Sequence, residues 1–151
     1  MEIERKFLVD AVPPGDHPRR ALEQGYLAVG EDGVEVRVRR ADATTTLTVK
    51  SGPGLVRVEE EIPIESARFE SLWPLTEGRR VVKTRHLVPL SDGLTAEVDV
   101  YDGALAGLLT AEIEFPSTEA SQAFTPPEWL EREITGDERY ANRTLALRGA
   151  P

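Results

Sequence analysis

The chain has 151 residues, 40% of them hydrophobic and 30% charged, which suits one globular domain with an ordinary core and excludes an unfolded polyelectrolyte. Its 18 Lys and Arg stand against 27 Asp and Glu, and the formal net charge of −9 argues against general affinity for nucleic acid or an anionic membrane. There is no cysteine and there are two histidines, so disulfides, thiolate metal sites and a His/Cys zinc centre are ruled out.

Prolines and glycines cut the sequence into short runs, the punctuation of a β-rich protein. In chain order the strand candidates are 2–9, 22–29, 33–41, 44–50, 55–63, 80–88, 94–101 and 109–116. Turn signals separate several of them: Glu31-Asp32-Gly33, Ser51-Gly52-Pro53-Gly54 and Ser91-Asp92-Gly93. Helical pieces are short. The segment 65–75 spaces Phe69, Leu72 and Trp73 as a helix would, with Ser66 as its expected cap; 117–124 opens on Ser117. The tail, about 138–147, reads as a last helix capped and packed through Asp137, Tyr140 and Asn142. No apolar run approaches the ~20 residues that span a bilayer, and the charged start lacks a signal core. The expectation is a single soluble, cytoplasmic domain over 1–151, monomer or homodimer.

In an extended chain, residues two apart share a face. Glu2, Glu4 and Lys6 alternate with Ile3, Arg5 and Phe7. The habit recurs in Arg37 and Arg39, in Lys50, in Arg57, Glu59 and Glu61, in Lys83 and Arg85, in Glu97 and Asp99, and in Glu112 and Glu114. One such strand is a solvated outer face. A whole set, dominated by carboxylates, guanidiniums and amines, predicts instead a sheet that closes on itself around a charged interior. Arg5, Arg40 and Arg80 have the opposite parity and read as surface charge; His86, of opposite parity to Arg85, reads as outward-facing, and His17, in the Pro-rich loop 12–18, as solvated. Buried charges must be paired or hold a ligand of opposite sign. Guanidinium and ammonium groups suit phosphate oxygens, and clustered carboxylates suit a hard divalent cation. The pattern points to a metal-dependent site for a phosphate chain.

The stretch 2–8, Glu-Ile-Glu-Arg-Lys-Phe-Leu, resembles the E-x-E-x-K signature of the CYTH superfamily, the triphosphate tunnel metalloenzymes. The resemblance runs in order through QGYL (24–27), VRVRR (36–40), LTVKSG (47–52), RVEEEIPI (57–64), VVKTRHLVPL (81–90), AEVDVYDG (96–103), AEIEFPS (111–117) and EITGDERYANRTLA (133–146). It implies a mainly β (α+β) fold: an eight-stranded antiparallel barrel or tunnel with a few short flanking helices. It further implies that Lys6, Arg37, Arg39, Lys50, Arg57, Lys83 and Arg85 bind phosphate oxygens, with Glu2, Glu4, Glu112 and Glu114 at Mg²⁺ or Mn²⁺. Lys83, Arg85, Glu97 and Asp99 would sit at the chemistry, supported by Glu59 and Glu61. Glu59, Glu61, Glu97 and Asp99 serve equally well as salt-bridge partners of the tunnel cations. Tyr26 falls where an aromatic side chain at the tunnel mouth could tune substrate preference, although packing explains it too.

The resemblance leaves the substrate to be chosen. Trp73 and Trp129 lie in or near helical pieces, so nothing suggests a base-stacking pocket. The expected activity is hydrolysis of inorganic triphosphate to pyrophosphate and phosphate, with ATP a further candidate substrate. The alternatives are a class IV-type adenylyl cyclase, a thiamine triphosphatase, and a non-catalytic polyphosphate- or nucleotide-binding module.

Overall fold

The computed structural model describes residues 2–51 and 58–151. Its strands are β1 (Ile3–Val9), β2 (Arg19–Val29), β3 (Glu35–Ala41), β4 (Thr44–Lys50), β5 (Glu59–Pro63), β6 (Arg80–Pro89), β7 (Thr95–Tyr101), β8 (Leu109–Phe115) and β9 (Leu130–Glu133). Three short helices accompany them: α1 (Ser66–Leu72), α2 (Thr118–Ala123) and α3 (Asn142–Arg148). The strands form one sheet in the order β5-β4-β3-β2-β6-β7-β8-β1-β9, and every pairing is antiparallel.

The mostly antiparallel, tunnel-like fold with flanking helices matches expectation, with three differences. A ninth strand, β9, flanks β1. It went unforeseen because its four residues, LERE, show no strong alternation. Second, among the described residues β5 and β9 remain edges, so the sheet is not closed by hydrogen bonds. It nevertheless curls: Glu4 and Lys6 of β1 and Lys50 of β4 line one cavity, although five strands lie between β1 and β4. Third, the tail breaks into a 3₁₀ turn (Glu138–Tyr140) and α3, with Ala141 extended between them.

The apolar alternation builds the outer core. Phe7, Val9, Val88, Ala96, Val98, Ala111, Ile113, Phe115 and Leu130 cluster on one side of β1, β6, β7, β8 and β9, with Phe124 and Trp129 packed against them. Ser117 caps α2, its side chain accepting from Ala120 N at 3.0 Å. Ser66 does not cap α1; Glu65 occupies that position and makes no side-chain cap bond. Arg5, Arg40 and Arg80 do lie on the outer side, but each is engaged rather than free. Arg5 pairs with Glu133 at 2.7 Å, Arg40 lies 4.7 Å from the Phe69 ring, and Arg80 lies 4.3 Å from the Trp73 ring. These stems and guanidiniums fasten β9 and the α1 region to the sheet.

A second cluster sits on the other side of the sheet. Tyr26, Val81 and Tyr101 share that side with the charged residues, and Leu105, Ile134, Tyr140, Leu145 and Ala146 pack onto them. The tail therefore covers part of the concave face. Among the described residues no helix is long and apolar enough to cross a membrane.

Candidate active site

Strand register carries the charged face across the sheet without a break. Directly paired residues point the same way, and the pairs run Glu4 with Glu114, Lys6 with Glu112, Glu112 with Glu97, Asp99 with Arg85, Lys83 with Leu22, Gln24 with Arg39, Tyr26 with Arg37, Glu35 with Lys50 and Lys50 with Glu59. Thr48 pairs with Glu61 on the same side. This is no solvated surface at its centre, since Lys83 is 7% and Asp99 5% exposed.

The centre is an ion network. Asp99 Oδ1 accepts from Arg85 Nε at 2.8 Å, and its Oδ2 accepts from Arg85 Nη2 at 3.0 Å and from Lys83 Nζ at 2.8 Å. Arg85 Nη1 also meets Glu97 Oε2 at 2.6 Å. Burial alone would raise the Asp99 carboxyl, but the Arg85 hydrogen bonds and the Lys83 and Arg85 charges outweigh it and hold it below its ordinary range. Burial pushes the Lys83 ammonium down against the pull of Asp99. Burial also works against Arg85, yet Asp99 and Glu97 leave its pKa raised.

Arg39 contrasts with these. It makes no ion pair among the described residues, and its pKa is lowered by burial and then by the charges of Arg85, Arg37 and Arg20. Arg37 reaches Glu59 only at 3.6 Å, and its Nε is buried without a partner. Lys6 donates from Nζ to the Tyr140 carbonyl at 2.9 Å. Lys50 is half-buried between Glu35 and Glu59 in the register. Arg57 lies outside the described residues.

Two cavities open onto these side chains. The smaller, about 160 Å³, is lined by Arg37, Arg39, Lys83, Arg85, Leu22, Gln24, Val81 and Asn142. The larger, about 870 Å³, is lined from the sheet by Glu4, Lys6, Tyr26, Glu35, Arg37 and Lys50, and from the tail by residues that include Asn142, Arg143 and Arg148. Arg37 and Asn142 border both. The two cavities adjoin at these residues, with cations from β1, β3, β4, β6 and α3 around them.

The acidic side is formed by β1 and β8. Burial raises the Glu112 carboxyl to about 6, with the hydrogen bond and negative charge of Glu4 adding to it. Glu114 pairs with Glu4 in the register but is exposed, and Glu2 precedes β1, also exposed. Among the described residues no three acidic or histidine side chains are drawn together as a ready metal cage. The donor chemistry still fits a hard cation: Glu4 and Glu112 are close enough to compete for a proton, Glu114 is opposite Glu4 in the register, and the ligands are oxygen only.

Several site residues escaped sequence reasoning. Glu35 is 8% exposed with Oε2 unpartnered. Its place two residues before Arg37 already put it on the charged face, so the alternation could have found it. Gln24, which donates to Tyr26 Oη at 3.1 Å, follows the same rule. Tyr26 itself is 1% exposed and packs under the tail; burial first and Glu35 second raise its pKa. Asn142, expected as a cap, instead opens α3 and reaches Lys83 Nζ with its Oδ1 at 3.4 Å. Arg143 and Arg148 make no ion pair among the described residues, while Arg139 pairs with Asp137 at 2.7 Å. No spacing in a seven-residue helix foretells which of its sides meets the sheet.

The chain is 49% identical over 146 residues to an inorganic triphosphatase of Nitrosomonas europaea, covering 97% of each chain. It is 38% identical to an inorganic triphosphatase of Acetivibrio thermocellus, covering 95% of this chain and 92% of that one. A crystal structure of an inorganic triphosphatase, 46% identical, covers all of this chain and 97% of its own, with a TM-score of 0.88. No family model matches the chain.

Proposed function

The chain belongs to the CYTH superfamily, among its inorganic triphosphatases, and from that premise we propose that it hydrolyses linear inorganic triphosphate to pyrophosphate and orthophosphate. One observation in the structure carries the reading: Arg37, Arg39, Lys83 and Arg85 line the smaller cavity, and among the described residues no carboxylate lines it. Arg39 is the clearest surplus charge, held among other cations with burial against it. Such an arrangement is costly when empty and is relieved by a polyanion.

The residues divide the work by their contacts. Arg37, Arg39, Lys50 and Lys6 present donors to the cavity and bind the phosphate oxygens; guanidinium forks fix the orientation of the chain. Asp99 and Glu97 aim Arg85, and Asp99 holds Lys83, so these two cations are preorganised where charge develops during phosphoryl transfer. Glu4 and Glu112, with Glu114 and Glu2 beside them, would hold Mg²⁺ or Mn²⁺. Bound there, the cation supplies charge neutralisation on the phosphate oxygens and activation of water. Tyr101 and Tyr26 are buried in the inner cluster beside the network.

Among the described residues Tyr26 is the aromatic side chain that borders the larger cavity, and at 1% exposure it offers little open face to stack a base. ATP therefore enters as a weaker substrate, gripped through its triphosphate alone. The test is a substrate panel: tripolyphosphate, ATP, thiamine triphosphate and pyrophosphate, each with Mg²⁺, Mn²⁺ or Ca²⁺, with phosphate release measured. Tripolyphosphate should be turned over fastest and pyrophosphate hardly at all. Cyclic AMP as the main product from ATP, or binding of tripolyphosphate without release under any metal, would overturn the proposal.

A further inference from the structure

Lys83 is one of the most buried charged side chains of the protein, and a primary amine on a flexible stem needs fixed acceptors to point in one direction. An ammonium has three N–H bonds and no acceptor capacity. Asp99 Oδ2 takes one at 2.8 Å, and Asn142 Oδ1, reaching across from the first residue of α3, takes another at 3.4 Å. The centroid of the Tyr101 ring lies 5.2 Å from Nζ. With two acceptors placed, the third N–H is left for the cavity that Arg37, Arg39 and Arg85 share with Lys83. If only Asp99 held it, the ammonium could swing about that one contact.

Asn142 is placed to do this by backbone means. Tyr140 is packed into the inner cluster, its carbonyl accepts from Lys6 Nζ at 2.9 Å, and Leu145 anchors α3 at 1% exposure. The side chain of Asn142 is thereby delivered to the seam of the two cavities. It caps nothing: Ala141 is the N-cap of α3, and no side-chain cap bond is made there.

We infer that Asn142 is a positioning residue for the triphosphatase reaction, acting through Lys83 by holding its ammonium toward the substrate cavity. The inference rests on the proposed triphosphatase reading and adds to it a residue of the tail. An amide is suited to the task because it accepts without adding negative charge beside a polyanion.

The experiment measures tripolyphosphate hydrolysis by the full chain carrying Asn142→Leu, Asn142→Asp, Lys83→Met, and Asn142→Leu with Lys83→Met. The Leu side chain keeps the branched outline, though not the smaller volume, and removes the acceptor, and kcat should fall about tenfold, the scale of a mis-set reacting group. The Asp side chain restores the acceptor and should bring kcat back to within about threefold of the wild type, whatever its charge does to KM. In the Lys83→Met background the Leu substitution should change kcat/KM by less than about twofold, because the group it acts on is gone. Equal losses for Leu and Asp, or a full additional loss in the Lys83→Met background, would overturn the inference. A melting temperature is taken for each variant; should Asn142→Leu fail to fold, Asn142→Ala takes its place in the same comparison. Wild-type protein that releases no phosphate would instead overturn the triphosphatase reading itself, so the two failures are distinguishable.

Discussion

Asp99 holds Arg85 through both carboxylate oxygens, at 2.8 and 3.0 Å, and the same carboxylate receives Lys83 at 2.8 Å. One β7 side chain therefore orients two β6 cations that the alternation had only placed on a common face. Removing it strands two largely buried positive charges. Asp99→Ala should cost about 3–5 kcal/mol of stability, the usual penalty for breaking a buried pair from one side, and should lower triphosphate turnover further than that loss explains. Urea denaturation alongside kcat measures both.

Arg39 predicts the opposite trade. Its guanidinium is desolvated among Arg85, Arg37 and Arg20, so Arg39→Met should raise the melting temperature of the empty protein. Tripolyphosphate binding should weaken by roughly 10- to 100-fold, the worth of a charged hydrogen bond of about 1.5–3 kcal/mol. Differential scanning fluorimetry with and without tripolyphosphate reads both effects. A lower melting temperature with undiminished binding would show Arg39 to be structural.

Glu112 gives a pH signature. Its folded pKa of about 6 lies above the ordinary 4.5, so the folded state holds this proton more tightly than the unfolded chain. That contribution to stability is complete below about pH 4.5 and is lost as pH rises through 6. Glu4→Gln removes the neighbouring negative charge, so the metal-free variant should be more stable than wild type at pH 7 while losing activity. Mg²⁺ should raise the melting temperature of the wild type and leave that of Glu4→Gln nearly unchanged.

Gly25 of the QGYL stretch tests the fold rather than the chemistry. A Cβ at this position would meet Thr76 Cβ and Oγ1 at 2.5 Å. Thr76 is fully buried; its hydroxyl donates to the Trp73 carbonyl and accepts from Arg80 Nε. It has no room to retreat. Gly25→Ala should cost about 1–3 kcal/mol by overpacking, measurable by urea denaturation.

Much of the site was legible because a strand has a period of two. Once Val36 and Val38 face a core, Arg37 and Arg39 cannot, and the same logic placed Lys83, Arg85, Glu97 and Asp99. Pairing was not legible: nothing in the residue order says that Asp99 meets Arg85 and Lys83 while Arg39 makes no ion pair among the described residues, since that depends on register. The tail reads as a helix capped and packed through Asp137, Tyr140 and Asn142, because Asp and Asn have capping chemistry and Tyr is bulky enough to pack. Asp137 does accept from Arg139 N at 3.1 Å. Asn142 was taken from that role by a tertiary contact, one that sequence periodicity does not encode. Ser66 failed as a cap for a related reason, the helix starting one residue earlier than its hydroxyl could serve.

The fate of tripolyphosphate itself tests the triphosphatase assignment most directly. Purified protein incubated with tripolyphosphate and Mg²⁺ or Mn²⁺ is followed by ³¹P NMR. The central and terminal tripolyphosphate resonances should disappear, with orthophosphate and pyrophosphate growing in equal molar amounts, and no such change should occur with Glu4→Gln. Tripolyphosphate that stays intact with every divalent cation, or equal turnover by Glu4→Gln, would contradict it.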